Sequence, residues 1–515
     1  MKTIFIEVER SWTSILILTI LVYFICHGLM LFVYGAWWDD MMCWNVSQEV
    51  LDEGYKVFNN PFIYYIIKYI SYIQEMKLMT FVYRIVPFMC WLISVISFFI
   101  FCKLVSHDKS FTLYASLLAA SCGLNKCMLL ICCFHYSISI AFFMVGLSLF
   151  VYDYYYKNIV LRLCVAILWL FSLLVWRSAV LVIPVAIITA SIISVGYDQR
   201  HIIKSAYKIC GYLIRNYYLI LISLIIFAIL YLTLLAPKGD YASYYSISIM
   251  CFLVSPLTTL ISSFALILNY IGNVVLANNL LFSNGIAFLF FCFFFVLFFN
   301  WIIPKISKIN EETYISSSLI FFALIFLFFS MMPHLFREFC FSFDINGYKS
   351  RVASLAVFPI AMLLGYLFRK SQLPYKNFLF SAFLLFSSLY SIKTYANYKR
   401  GWEKNVEIAQ FLKSRTFLNG CKLKFMDTAV DYSTFPSEHF RNYDMEGCAR
   451  LAYGINTKTT CSNYYYMEES EYDYLIYIYQ NNKYGETQMI RNYLIESDDS
   501  CHIDNLNFKL LKNTK

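Results

Sequence analysis

Long apolar runs separated by short polar loops fill the first four hundred positions of this chain, and short alternating stretches replace them afterwards. The first run extends from about Trp12 to Val33, behind Lys2, Glu7, Glu9 and Arg10. About 20 apolar residues in α-helix cross a hydrocarbon core ~30 Å thick, and such a run is longer than the apolar stretch of a cleaved signal peptide. It predicts a first transmembrane helix. Runs at 80–102, 111–125, 127–151, 159–176, 178–196, 216–236, 280–303, 314–334, 352–368 and 377–395 predict ten more, giving about eleven. A further run at 249–271 contains Pro256 and the polar Ser255, Thr258, Thr259, Ser262 and Ser263. These suit a broken helix at membrane depth.

Past Asn397 charged residues become frequent. Trp402 to Leu412 has the pattern of an amphipathic helix leaving the membrane, and Tyr472 to Tyr479 alternates like a buried strand. The pattern therefore predicts an α-helical polytopic bundle over residues 1–396, with a first outer loop at 35–79, and a small α/β soluble domain over residues 397–515.

Composition agrees with a lipid solvent. Hydrophobic residues make up 60% of the 515, aromatic residues 20% and charged residues only 14%, with a mean hydropathy of +0.61. Soluble domains carry about 25% charged residues. The net charge of +9 is spread among short loops, not gathered into a basic stripe, so it gives no sign of nucleic acid binding. Arg200, Lys204, Lys208 and Arg215, then Lys103 with Lys109, Lys305 with Lys308, and Arg369, Lys370 and Lys376 mark basic loops. By the positive-inside rule these face the cytoplasm, as does the N-terminus, and the C-terminal domain emerges outside. That assignment requires 249–271 to re-enter or lie along the outer interface; an ordinary spanning helix with one misplaced basic loop is the alternative.

Four of the 17 cysteines, Cys421, Cys448, Cys461 and Cys501, fall in the soluble tail. An oxidising compartment permits two disulfides among them, with three possible pairings. Zinc is the rival, but no Cys-x-x-Cys knuckle is present there.

Candidate chemistry gathers on the outer side. The first loop begins Gly35-Ala36-Trp37-Trp38-Asp39-Asp40 and contains Asn45-Val46-Ser47, a formal glycosylation sequon. Adjacent carboxylates at the mouth of a membrane helix are costly unless paired, solvated or used. An exposed acidic loop start is the plainer explanation. Phe62 to Ile73 reads as an interfacial helix. Arg84, Lys126, His135 and Arg177 stand at outer span ends, and Arg337, Glu338, Lys349 and Arg351 precede the 352–368 span. Cations there suit a phosphate, arginine through its planar fork. Interfacial snorkelling explains any one of them singly.

First-loop carboxylates after the first span, an amphipathic segment beyond them, about eleven spans and an external tail together resemble the membrane glycosyltransferases of the GT-C superfamily. Within it the layout is most similar to the bacterial and phage serotype-converting O-antigen glucosyltransferases, the Gtr family. Trp38-Asp39-Asp40 and the Arg351 region carry the likeness. The resemblance implies an inverting transferase in the bacterial inner membrane. It would move glucose from undecaprenyl-phosphate glucose onto lipid-linked O-antigen or another glycan on the periplasmic face. Asp39 or Asp40 would be the general base. Arg351, Arg84, Arg177, Lys126 and Lys349 would hold the donor phosphate, and Trp37, Trp38, His135, Arg337 and Glu338 would contact substrate. Some GT-C members place a divalent cation such as Mg2+ or Mn2+ near the first-loop acid, and the residues here leave that open. Other GT-C transferases (mannosyl, arabinosyl or protein-glycosylating) are alternatives, as are a lipid-linked-sugar flippase and an O-antigen polymerase.

Overall fold

The computed structural model describes residues 2–37, 49, 52, 64–65, 68–69, 76–124, 126–130, 133–175, 215, 218, 222, 225–226, 229, 249–276, 285–307, 317–335, 354–429, 442–463, 472–479, 497–503 and 506–512. Among the described residues, the helices of the membrane part are α1 (Lys2–His27), α2 (Met76–Ser106), α3 (Lys109–Ser121), α4 (Phe134–Tyr156), α5 (Ile159–Val175), α6 (Ile249–Leu276), α7 (Gly285–Ser307), α8 (Ser317–Leu335), α9 (Val357–Lys370) and α10 (Lys376–Lys413). Among the described residues, six helices are long and apolar enough to cross a membrane, and two shorter apolar helices, Ile159–Val175 and Leu319–Met331, accompany them. A polytopic helical protein follows. The expected spans at 178–196 and 216–236 lie almost wholly outside the described residues.

Several contacts place one set of helix ends together. Lys103 at the end of α2 and Lys109 at the start of α3 lie over the Trp12 ring of α1, at 5.3 and 5.8 Å. Asp108, which caps α3 through the Phe111 amide, pairs with Arg369 at the end of α9 at 3.0 Å. Ser110 donates to the Ser307 carbonyl at the end of α7, and Tyr155 near the end of α4 donates to the Leu104 carbonyl. Arg162 of α5 pairs with the buried Asp153 at 3.0 Å. This basic end gathers Lys103, Lys109, Lys157, Arg162, Lys305, Arg369, Lys370 and Lys376. Among the described side chains, Asp153 and Asp108 at this end are each paired with an arginine. The first loop and the tail leave from the opposite end.

Two expectations need correction. The 249–271 run forms one continuous helix, not a broken one. Pro256 sits only two turns in, and the hydroxyls of Thr258 and Ser263 bond back to Val254 and Thr259, four residues before each, which satisfies them without interrupting the helix. The runs at 111–125 and 352–368 instead form the short helices α3 and α9, of 13 and 14 residues. At 1.5 Å per residue each covers only about 20 Å. They cross tightly: a Cβ on Gly365 of α9 would lie 2.8 Å from the Ala115 amide nitrogen of α3.

The predicted amphipathic helix at Trp402 to Leu412 is not separate. It continues the last span as the 38-residue α10, whose lower residues pack in the bundle core while Ile408, Phe411 and Leu412 enter a second core in the tail. There a five-stranded sheet has the order β2-β1-β3-β5-β4, with β1 (Lys422–Asp427), β2 (Thr460–Asn463), β3 (Tyr474–Tyr479), β4 (Ser497–Ile503) and β5 (Leu506–Lys512). β1 runs parallel to β2 and β3, and β5 antiparallel to β3 and β4. Helix α11 (Asn442–Tyr453) links β1 to β2. Phe411 stacks on Phe508 at 4.7 Å, fastening α10 to the sheet.

The expected disulfide staples are not formed. Cys421, Cys448 and Cys461 are free thiols, and the side chain of Cys501 lies outside the described residues. Cys448 and Cys461 pack in the apolar tail core, where cysteine serves as a small hydrophobe.

Candidate functional site at the tail end of the bundle

The stem of the first loop is held from two sides. After α1 a 3-10 turn, Gly28–Phe32, leads to the extended residues Val33 to Trp37. Gly35 takes φ +134°, a value that L side chains rarely adopt, and the Trp402 ring fills the place where a Cβ would stand, at 2.5 Å. Trp37 is 2% exposed; its indole N–H donates to the Tyr398 carbonyl at 2.9 Å and its ring meets Tyr398 edge-on at 4.9 Å. Asn405 donates its amide to the Ala36 carbonyl. Three successive turns of α10 thus grip three successive loop residues.

Arg84 closes the other side. It lies two turns into α2, is 1% exposed, donates to the Gly35 carbonyl at 3.1 Å and carries its guanidinium 5.0 Å from the Trp37 ring centroid. Two residues that the sequence assigned to different roles, Trp37 and Arg84, are therefore in direct contact. His135 is at the same end: it opens α4 beside Phe134, whose ring meets that of Tyr83, the neighbour of Arg84, at 6.0 Å. Lys126 begins the 3-10 turn Lys126–Leu129 before α4. Trp38, Asp39, Asp40, Arg177, Arg337, Glu338, Lys349 and Arg351 lie outside the described residues. Of the interfacial segment Phe62 to Ile73, residues 64, 65, 68 and 69 are helical. Tyr65 and Tyr69 expose one face, while Lys68 donates to the Tyr64 hydroxyl, which donates to Asp52 at 2.5 Å.

The tail overhangs this end. Lys404 of α10 is buried against Asp427, the last residue of β1, at 2.5 Å and also donates to the Ala429 carbonyl. Lys404 is adjacent to Asn405, which holds the loop stem, so β1 runs back toward the membrane. The carboxyl edge of the parallel strands faces the mouth, the edge where open α/β sheets bind ligands.

Below the mouth lies a polar level that the sequence did not reveal. His27 is 2% exposed and its Nδ1 bonds the Tyr395 hydroxyl at 2.5 Å. Cys26 bonds Ser388. The end of α3 is capped from α10, where Ser387 and Ser391 both donate to the Ser121 carbonyl, and Ser387 also meets the Tyr270 hydroxyl of α6 at 2.7 Å. Serine at helical spacing within an apolar run at 377–395 was the available signal.

Among the described residues no group of three or more His, Cys, Asp or Glu could hold a metal ion. No protein-family model matches this chain, and no curated protein matches it in sequence.

Proposed function

We propose that this protein is an inverting glycosyltransferase of the GT-C kind that uses a polyprenyl-phosphate sugar and works on the outer face of a bacterial inner membrane. The observation that carries the reading is the grip of Arg84 and α10 on the Gly35–Trp37 stem, opposite the basic end. By the positive-inside rule the basic end is cytoplasmic, which puts the stem and the tail outside. The acid pair Asp39-Asp40 follows Trp37 by two and three residues.

In this reading one of the two carboxylates takes the proton of an acceptor hydroxyl as it attacks the anomeric carbon from the face opposite the phosphate. The C–O bond to the lipid phosphate breaks, and the phosphate leaves with the electron pair. Phosphate needs little acid assistance, so cations and N–H donors that stabilise its growing charge are sufficient. Arg84 positions the acid-bearing loop through Trp37. Arg351, Lys349, Arg177 and Lys126 remain candidates for phosphate, with Trp38, His135, Arg337 and Glu338 for the sugars. A glycan acceptor would enter beneath the carboxyl edge of the tail sheet. Glucose as the sugar and O-antigen as the acceptor are the choices that the Gtr-like layout favours.

The test is Asp39→Asn and Asp40→Asn, made separately, with expression checked. One of them is expected to abolish glycan modification in cells. Full modification by both variants would remove the general-base assignment.

A further inference from the structure

Three side chains meet where the bundle leaves the membrane at its basic end. The span Ser11–Phe32 of α1 begins one residue before Trp12, and the span Phe81–Ser106 of α2 ends three residues after Lys103. Lys109, the first residue of α3, lies three residues past that end. Tryptophan and lysine at span ends sit level with the lipid headgroups. Trp12 is half-buried and stands edge-on to Phe99 of α2, at 6.3 Å between ring centroids. Lys103 and Lys109 place their ammonium nitrogens 5.3 and 5.8 Å from the centroid of this one indole ring.

Lys109 does not behave as a boundary lysine should. Such a residue ordinarily lays its stem on apolar surface and carries its charge out to water. Lys109 is 4% exposed, and its ammonium is covered and has no hydrogen-bond partner. The charge is turned inward onto the indole instead. No carboxylate answers it. The adjacent Asp108 is engaged by Arg369 at 3.0 Å and by the Phe111 amide, and among the described residues neither Lys103 nor Lys109 forms an ion pair. Two like charges around one ring repel, and a buried ammonium without a counter-ion is costly. The indole face offsets only part of that cost. An anion at headgroup depth would offset the rest.

We infer that Trp12, Lys103 and Lys109 form a site for the phosphate of an anionic phospholipid in the cytoplasmic leaflet. Lys103 is partly exposed and meets the phosphate first, while the flexible four-carbon stem of Lys109 turns its ammonium to it from behind. Anionic headgroups of that leaflet attract basic residues, and the indole lies where headgroup and acyl chain join. The site is independent of the transferase reading, since all three residues lie at the end of the bundle opposite the first-loop stem.

The experiment is equilibrium binding to the full-length protein in detergent, with phosphatidylglycerol, phosphatidylcholine of the same acyl chains, and inorganic phosphate as probes. Phosphatidylglycerol is expected to bind at least about fivefold more tightly than phosphatidylcholine, the worth of one basic residue beside an anionic headgroup. Lys109→Met should weaken phosphatidylglycerol about tenfold, the worth of a hydrogen bond to a charged group, and leave phosphatidylcholine unchanged. Without lipid the same variant should have a higher thermal midpoint than the parent, because a stranded charge has gone. Lys103→Gln should weaken phosphatidylglycerol about fivefold. Lys305→Gln, which removes an exposed lysine over Trp301 at the same end, should change nothing. Equal binding of the two lipids, or parental phosphatidylglycerol binding by folded Lys109→Met and Lys103→Gln proteins, overturns the site. An equal loss in Lys305→Gln also overturns it, since the attraction would then be diffuse. Displacement of phosphatidylglycerol by millimolar inorganic phosphate would assign the site to a free anion and overturn the lipid.

Discussion

Lys404 and Asp427 bury an ion pair at 2.5 Å, 1% and 3% exposed, and so join the last membrane helix to the end of the first tail strand. Removing one partner strands a charge away from water, which typically costs about 3–5 kcal/mol, whereas replacing both with apolar residues costs much less. Lys404→Met and Asp427→Leu should each loosen the tail, read as lower thermal midpoints and faster proteolysis. The double variant should be more stable than either. A double variant as unstable as the worse single one would show that the pair is not what secures the tail.

Arg84 and Trp37 act as a unit in this account. Arg84→Gln removes the cation from the indole face, and a desolvated cation–π contact is worth about 2 kcal/mol, or roughly thirtyfold in rate. Transfer should fall by about that factor, and Arg84→Lys should recover only part of it, because lysine lacks the planar fork that reaches both the ring and the Gly35 carbonyl. A normal rate in Arg84→Gln would mean that the stem is held without it.

Three glycines give a graded packing test. Gly365→Ala pushes a Cβ to 2.8 Å from the backbone of α3 and should cost about 1–3 kcal/mol, seen in the thermal midpoint of the detergent-solubilised protein. Gly35→Ala meets Trp402 at 2.5 Å with an unfavourable φ, and should lower transfer along with stability. Gly28→Ala has open space around it and should change neither.

How far this arrangement could be read from the pattern of residues varies by element. α1, α2, α4, α7, α8 and the membrane part of α10 coincide with apolar runs of spanning length, and β3 falls within the alternating Tyr472 to Tyr479 stretch. The half-length helices escaped notice because hydropathy reports burial, not helix ends. Cys122, Leu124 and Met128 to Leu130 follow α3 and are as apolar and buried as the helix itself. Pro256 and its serines suggested a break because a sequence does not show side-chain hydroxyls bonding back to their own helix. The contact of Arg84 with Trp37 joins positions 47 residues apart, beyond the reach of any local spacing rule.

Thiol chemistry separates free cysteines from disulfides in the tail. Burial pushes the Cys448 and Cys461 thiols well above their ordinary value, and Cys421, half-exposed, is raised less. A maleimide should label Cys421 in the folded protein and reach Cys448 and Cys461 only on unfolding, with no reductant needed. The sign of the pH effect follows. The folded state keeps these thiols protonated while the unfolded chain loses protons above its thiol pKa of about 8.5, so the tail should lose stability as pH rises beyond that value. Thiols that stay unreactive in denaturant until reduced would restore the disulfide expectation.

The central claim is that the first-loop stem and the tail share the outer end of the bundle, opposite the basic end. Single-cysteine variants at Lys305 and at Lys458 in the tail, made in a background lacking the native cysteines, can be treated in intact cells whose outer membrane has been permeabilised, with a maleimide that does not cross the inner membrane. The account predicts that Lys458→Cys is labelled and Lys305→Cys is labelled only after lysis. Labelling of Lys305→Cys from outside, with Lys458→Cys protected, would invert the bundle and remove the outer-face chemistry altogether.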